Sequence, residues 1–216
     1  TPMNAIIGMT SLALTSLGND VKVRNYLQKI VLSSKLLLNI INDILDMSKI
    51  ESGKFTLASE PFSMTAILRD VVNIITQRCD EKGVAFAANP HEVPNLRLSG
   101  DPLRLKQVLI NLLSNAVKFV PGGSGKVHVR VGIDGGSVRV EVADNGPGLT
   151  AEECGVIFEK FRQGGNTLTD KPKGTGLGLP ISRQIIEYFG GKLWVESRPG
   201  EGANFIFTVP LPASEE

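Results

Sequence analysis

One stretch of this sequence limits its folding more than any other. From Leu27 to Ser48 an apolar stripe recurs at alternating three- and four-residue steps: Leu27, Ile30, Leu37, Ile41 and Ile44, with Ser34 and Ser48 in the two remaining slots. That step places the residues on one side of a helix. A second stripe, Val31, Leu38 and Leu45, lies beside the first. The combined face is too wide for a single two-stranded seam. The helix predicted before it is short. It opens near Pro2, which suits a first helical turn, carries Ile6, Ile7, Met9 and Leu12, and ends at Gly18-Asn19-Asp20, which breaks the pattern and offers a cap for the longer helix. One short helix cannot cover that face. A second copy of the hairpin, forming a dimeric four-helix bundle, would bury it; docking on the chain's own remaining residues is the other solution that periodicity allows.

After about residue 53 the pattern changes, so the expected organisation is a helical hairpin over residues 1–53 and a second domain over 54–216. Ser63 can cap a helix with the face Ile67, Leu68, Val71, Val72 and Ile75, and Val84 to Ala88 reads as a short strand before a Pro90–Pro94 loop. Asp101-Pro102 is a cap followed by proline at the first helical position, and that helix runs to about Phe119. Val127 to Ile133 and Val138 to Val142 alternate in period two across Asp134-Gly135-Gly136, as a hairpin does. Residues 151–161 read as helix and 162–176 as a loop rich in Gly, Lys and Thr. A helix opening at Leu177 ends at Gly190-Gly191, and a hairpin from Lys192 to Val209 closes around Pro199-Gly200. The fold class expected is α+β, with helices on one face of a mixed, largely antiparallel sheet.

Composition removes several function classes. Net charge is +1 with 21% charged residues, which gives no electrostatic reason to expect nucleic acid or an acidic membrane as partner. Cys79 and Cys154 lack metal-type spacing and point to free thiols in a reducing compartment, so a cytoplasmic location is expected. No apolar run approaches the roughly 20 residues of a membrane span, and no signal peptide opens the sequence. Any membrane sensor of a parent protein would lie outside these residues.

Three elements carry candidate chemistry. Asn111 and Asn115 stand one turn apart on an otherwise apolar helix, with Lys118 nearby. They either cap neighbouring loops or ligate something polar; an amide oxygen can complete the shell of a Mg²⁺ already bound to phosphates. Asp144-Asn145-Gly146-Pro147-Gly148 follows a strand. It is either an ordinary turn or a carboxylate held to accept a hydrogen bond from an exocyclic amine such as that of adenine. Gly174-Thr175-Gly176-Leu177-Gly178-Leu179 runs into a helix, where bare backbone N–H groups can meet phosphate oxygens. It lacks the Gly-Lys-Ser/Thr of a Walker loop and the βαβ setting of a dinucleotide fingerprint.

The order of the three elements resembles the ATPase domain of sensor histidine kinases, within the GHKL group. Phe158-Glu159-Lys160-Phe161-Arg162-Gln163 is similar to that family's F box, and Gly200-Glu201-Gly202-Ala203-Asn204-Phe205 to its last Gly box. Thr1-Pro2-Met3-Asn4-Ala5-Ile6-Ile7-Gly8-Met9 and Asn42-Asp43-Ile44-Leu45-Asp46-Met47-Ser48-Lys49-Ile50-Glu51-Ser52-Gly53-Lys54 resemble the dimerisation and phosphotransfer domain of hybrid kinases. The resemblance implies ATP and Mg²⁺ as cofactors. In it Asn115 ligates the metal, Asn111 supports that site, and Lys118 and Arg162 meet phosphate oxygens. Asp144 reads the adenine amine, and Gly146 and Gly148 shape the pocket. Gly174, Thr175, Gly176, Leu177 and Gly178 hold the triphosphate, Phe161 belongs to the nucleotide-binding set, residues 162–173 form a lid, and Thr208 contacts the region near the adenine.

Two positions refine what the resemblance implies. ATP-hydrolysing GHKL enzymes such as gyrase relatives carry a Glu, the water-activating base, where this sequence has Asn111, so slow hydrolysis is expected. Thr1-Pro2 resemble the end of a His-Glu-x-Arg-Thr-Pro motif. The phospho-acceptor His is therefore expected four residues upstream of Thr1, while His91 and His128 lack the motif. Thr1 would then orient water in a phosphatase reaction. The partners implied are a second copy, through residues 1–53, and a response-regulator receiver domain in cis or in trans. A degenerate kinase that regulates another by heterodimerising is the alternative.

Overall fold

The computed structural model describes residues 2–88, 97–161 and 175–211. Thr1, the Pro90–Pro94 loop with His91, the segment 162–173 and Gly174 lie outside the described residues. The chain divides into two compact units, the first running through Lys54 and the second beginning at Phe55.

The first unit is a helical hairpin, α1 (Pro2–Thr15) and α2 (Asp20–Glu51). Asn19 caps α2, its side chain accepting from Lys22 N at 3.0 Å. Val23, Tyr26, Ile30, Ser33, Leu37 and Ile40 of α2 are half-buried at three- and four-residue steps, and α1 packs against the first half of this helix. Leu27, Val31, Leu38, Ile41, Ile44 and Leu45 remain exposed, at 45–58% of their surface. The single stripe expected from the sequence is thus divided. Ile30 and Leu37 are half-buried, because a 3.6-residue helix drifts against a 3.5-residue repeat, and the remainder faces outward.

The second unit contains a small antiparallel pair, β1 (Glu60–Ser63) with β3 (Arg97–Gly100). Its main sheet has five strands in the order β2-β4-β5-β7-β6: β2 (Ala85–Ala88), β4 (Lys126–Asp134), β5 (Ser137–Asp144), β6 (Lys192–Ser197) and β7 (Ala203–Pro210). Only β2–β4 is parallel within it. Neither β1 nor β3 was expected. Each has four residues and shows no usable alternation, and Pro61 lies in one and Gly100 in the other; a proline is tolerated there because the pair is all edge.

Three helices build the core against one sheet face: α3 (Met64–Lys82), α4 (Pro102–Phe119) and α6 (Gly178–Tyr188). The short α5 (Ala151–Val156) ends earlier than the predicted 151–161; its start is fixed by a capping box in which Thr150 Oγ1 accepts from Glu153 N at 3.2 Å and Glu153 Oε2 accepts from Thr150 N at 2.9 Å. Helix α4 lies between α3 and α6 and buries Leu105, Val108, Leu109, Leu112, Leu113, Ala116 and Val117. Opposite them Val138, Val140 and Val142 of β5 and Phe205, Phe207 and Val209 of β7 are buried. Asp101 caps α4, Oδ1 accepting from Arg104 N at 3.1 Å. Its other oxygen accepts from Ala58 N at 3.3 Å, tying the incoming chain to the same helix.

The end of α4 is held by a residue from another helix. Lys82 Nζ donates to the carbonyls of Val117, Lys118 and Val120 at 2.7, 2.9 and 2.7 Å. These oxygens belong to the last turn and its exit, where carbonyls lack helical partners and a cation is favoured. Replacing Lys82 by Met is expected to cost about 2 kcal/mol, since charge-assisted bonds to part-buried carbonyls are lost. Urea unfolding should show a lower midpoint at unchanged slope. A midpoint equal to wild type would show that these carbonyls are satisfied without the lysine.

Candidate functional site

Helix α4 presents Asn111, Asn115 and Lys118 on one side of its second half, all half-buried. Asn111 Nδ2 donates to Gly178 O at 3.4 Å and to Ser182 Oγ at 3.3 Å, so its amide joins α4 to the first turn of α6. Ser182 is fully buried, which makes this a structural tie as well as a site contact. Asn115, one turn on, has no hydrogen-bond partner for its side chain among the described residues, and its amide is available to a ligand. Lys118 Nζ lies 4.9 Å from the centre of the Phe119 ring. Burial pulls its ammonium below the usual lysine value.

Asp144 is the last residue of β5. It lies on the helix-bearing face, since it follows Val138, Val140 and Val142 at steps of two. Burial pushes its carboxyl above the ordinary 3.8, while the backbone N–H groups of Gly146 and Ala203 donate to it and pull the other way. The Gly146 N bond to Oδ1 measures 2.7 Å. A carboxylate in this setting is short of solvent and still has acceptor capacity to offer.

The turn beyond Asp144 is gripped from several sides. A Cβ at Gly146 would press on Asp144 Oδ1 at 2.8 Å and meet Phe119 O at 3.4 Å, so the turn lies against the end of α4. Gly148 has φ +69°, and a Cβ there would overlap the carbonyl oxygen of Arg198; both conditions require glycine. Ser197 Oγ accepts from Leu149 N at 2.9 Å and donates to Gly202 O at 2.6 Å. Gly200 N donates to Pro147 O at 2.7 Å. The last Gly box is therefore the clamp on the Asp144 turn. Ser197 escaped the sequence reading because a lone serine ending a strand carries no local signal.

The third element closes the group. Thr175 Oγ1 accepts from Leu177 N at 3.2 Å, Leu177 is buried, and Gly178 opens α6, whose start carries no side-chain cap. Gly176 O accepts from Phe161 N at 3.1 Å. Phe161 has φ +61°, rare for a bulky residue, and a side chain 71% exposed. Phe158 of the same box instead packs edge-on to Phe205 at 6.4 Å and takes the Arg183 guanidinium over its ring at 5.5 Å. Asn111, Asn115, Lys118, Asp144, Gly146, Gly148 and residues 175–178 thus come from three elements, of which α4 touches the other two. Arg162, Gly174 and Thr1 lie outside the described residues.

Thr208 does not join them. In the β5–β7 and β6–β7 registers it sits beside Arg139 and Lys192, on the opposite sheet face from Asp144. Its Oγ1 accepts from Lys192 N at 3.2 Å. That face carries a surface ladder, with the Arg139 guanidinium 5.3 Å from the Trp194 ring and 2.9 Å from Glu141 Oε1. The expected contact of Thr208 near the adenine is corrected accordingly: being on the right strand did not put it on the right face.

Two family profiles match the sequence: "His Kinase A (phospho-acceptor) domain" over residues 1–53 and "Histidine kinase-, DNA gyrase B-, and HSP90-like ATPase" over residues 100–213. The chain belongs to the sensor histidine kinases. Among its relatives are the sensor protein GacS of Pseudomonas syringae pv. syringae, 40% identical over all of this chain and 24% of that protein, and the autoinducer 2 sensor kinase/phosphatase LuxQ of Vibrio harveyi, 36% identical over all of this chain and 25% of that protein. The chain spans about a quarter of the length of these relatives. Among solved structures, full-length ShkA in complex with AMPPNP superimposes with a TM-score of 0.72 at 32% identity, covering 98% of this chain and 43% of that one. The α+β architecture, a helical hairpin followed by a GHKL-type ATP-binding domain, is therefore that of a histidine kinase core.

Two further facts bear on what this kinase core holds. Among the described residues no group of three His, Cys, Asp or Glu side chains could cage a metal ion. No helix among them is long and apolar enough to cross a membrane.

Proposed function

We propose that this core binds Mg·ATP between α4, the Asp144 turn and the start of α6. It then donates the γ-phosphate to a histidine just upstream of Thr1, for relay to an aspartate of a receiver domain in cis or in trans. The observation that carries the reading is the half-buried Asp144 carboxylate, held by two backbone N–H groups beside the end of α4. It would accept the adenine amine. Asn115, unpartnered in the described residues, would supply the amide oxygen to Mg²⁺, with phosphate oxygens completing the shell in place of a carboxylate cage. Bound there, the ion would offset charge on the phosphate oxygens. Lys118 and the uncapped start of α6 would face those oxygens, and Gly174 and Arg162 would extend the set. Relatives that are sensor kinases, and the ShkA structure holding AMPPNP, support this reading. A cytoplasmic working location and a homodimer through residues 1–53 belong to the same proposal.

Titration calorimetry with a non-hydrolysable ATP analogue tests the nucleotide assignment. Asp144→Asn puts an amide donor where the carboxylate faced a donor, and should weaken binding by roughly 1–3 kcal/mol, about five- to 150-fold. Equal affinity in both proteins would sink the adenine contact. The same variant has a stability signature without nucleotide. The folded state raises the Asp144 value above 3.8, so it disfavours the ionised form, and the resulting destabilisation sets in as pH rises through the unfolded value. Apo Asp144→Asn should therefore melt higher than wild type at pH 7. The difference should vanish below the unfolded value, where both side chains are neutral.

A further inference from the structure

Asp144 is the last residue of β5 in its antiparallel ladder with β4, opposite Val127. The next rung would pair Lys126 with residue 145, and it is made in an unusual way. Asn145 N donates to Lys126 O at 3.1 Å, as a strand residue would. The reciprocal bond does not use the backbone: Lys126 N donates to the Asn145 side-chain oxygen Oδ1 at 2.5 Å. Asn145 Nδ2 then donates to Ser124 O at 3.1 Å. The side-chain amide thus stands in for a backbone carbonyl. It satisfies the end of β4 while freeing the 145–146 peptide to turn away from the ladder. That freed peptide carries the Gly146 N–H that reaches Asp144 Oδ1 at 2.7 Å.

We propose that Asn145 is the positioning residue that aims the Asp144 carboxylate and so sets this site's preference for a 6-amino purine. The proposal rests on Asp144 contacting the base. Without the side-chain amide, Lys126 N–H can be satisfied only by water or by the backbone carbonyl of residue 145. The second option draws residue 145 into the strand, rotates the following peptide and withdraws Gly146 N–H from the carboxylate. The proposed phosphate and metal contacts lie on α4 and α6, whereas the Asn145 side chain bonds to Ser124 and Lys126. Its loss should be felt at the base and not at the triphosphate.

The test measures two ligands, a non-hydrolysable ATP analogue and the matching purine riboside analogue, which has hydrogen in place of the 6-amine. Wild type should prefer the adenine compound. Asn145→Ala, shown to be folded by circular dichroism, should lose about tenfold for the adenine compound while holding the other nearly unchanged, so that the preference collapses. Asn145→Asp keeps the oxygen that Lys126 needs and should retain most of the preference. Equal weakening of both ligands by Asn145→Ala, or no weakening of either, would overturn the positioning role. Asp144→Asn is measured alongside. If it leaves the preference intact, the base contact itself is wrong; if it collapses the preference and Asn145→Ala does not, only the role of Asn145 fails.

Discussion

In sedimentation, residues 1–216 are expected to form a dimer that dissociates on dilution, and the Ile41→Asp, Ile44→Asp double variant to remain monomeric at every concentration reached. In the single chain Ile41 and Ile44 are 45% and 51% exposed, within an outward face that also holds Leu27, Val31, Leu38 and Leu45. Helix α1, with 14 residues against the 32 of α2, leaves this face bare. Since each is about half covered already, removing the rest from water is worth roughly 1 kcal/mol each. A two-fold axis presents each of the two residues twice, so their loss amounts to about 4 kcal/mol, on the order of a thousand-fold in dissociation constant, before any cost of burying the new carboxylates. Both substitutions lie in the first unit and the nucleotide site is proposed in the second, so affinity for an ATP analogue should be unchanged. Monomers in both proteins at high concentration would mean that this face is covered within one chain instead.

Much of this architecture was legible in the sequence, and the parts that were not have a common cause. Helices α2, α3 and α4 announce themselves through long apolar periods and local caps at Asn19, Ser63 and Asp101. The β4–β5 hairpin is visible because Asp134-Gly135-Gly136 joins two alternating runs. Strands β1 and β3 were missed because each is four residues long and pairs with a partner distant in sequence. Within the site, Asp144 and Asn115 could be named from motif order. Asn145 stood in the same motif without a role, because its work depends on Ser124 and Lys126 lying alongside. Lys82 likewise gives no hint that it closes the end of another helix. Thr208 shows the converse error, since a strand's residues alternate between faces and motif position alone does not say which face a residue takes.

The geometry of Asn111 sharpens the expectation for turnover. A hydrolytic relative would need a base at this position. Here the amide donates to Gly178 O and to the buried Ser182 Oγ, so the side chain is engaged in joining α4 to α6 and has no basicity to lend to water. A positioned general base is worth about 10²–10⁴-fold in rate, and hydrolysis should be slower by about that factor than in an enzyme that has one. Residues 1–216 with labelled ATP and Mg²⁺ should therefore bind nucleotide, turn over very little of it and stay unlabelled. The same chain extended upstream of Thr1 by its native residues should acquire an acid-labile, alkali-stable phosphate, as expected for phosphohistidine. Asn115→Ala in that extended chain should abolish the label, since the amide proposed to hold the metal is removed. An extended chain that binds ATP and never labels would favour a regulatory module acting through its hairpin. Label on residues 1–216 at His128 would contradict the assignment outright. That histidine, on β4, pairs with Ala143 of β5 and so sits on the opposite face of the sheet from Asp144, where no phosphate held between α4 and α6 could reach it.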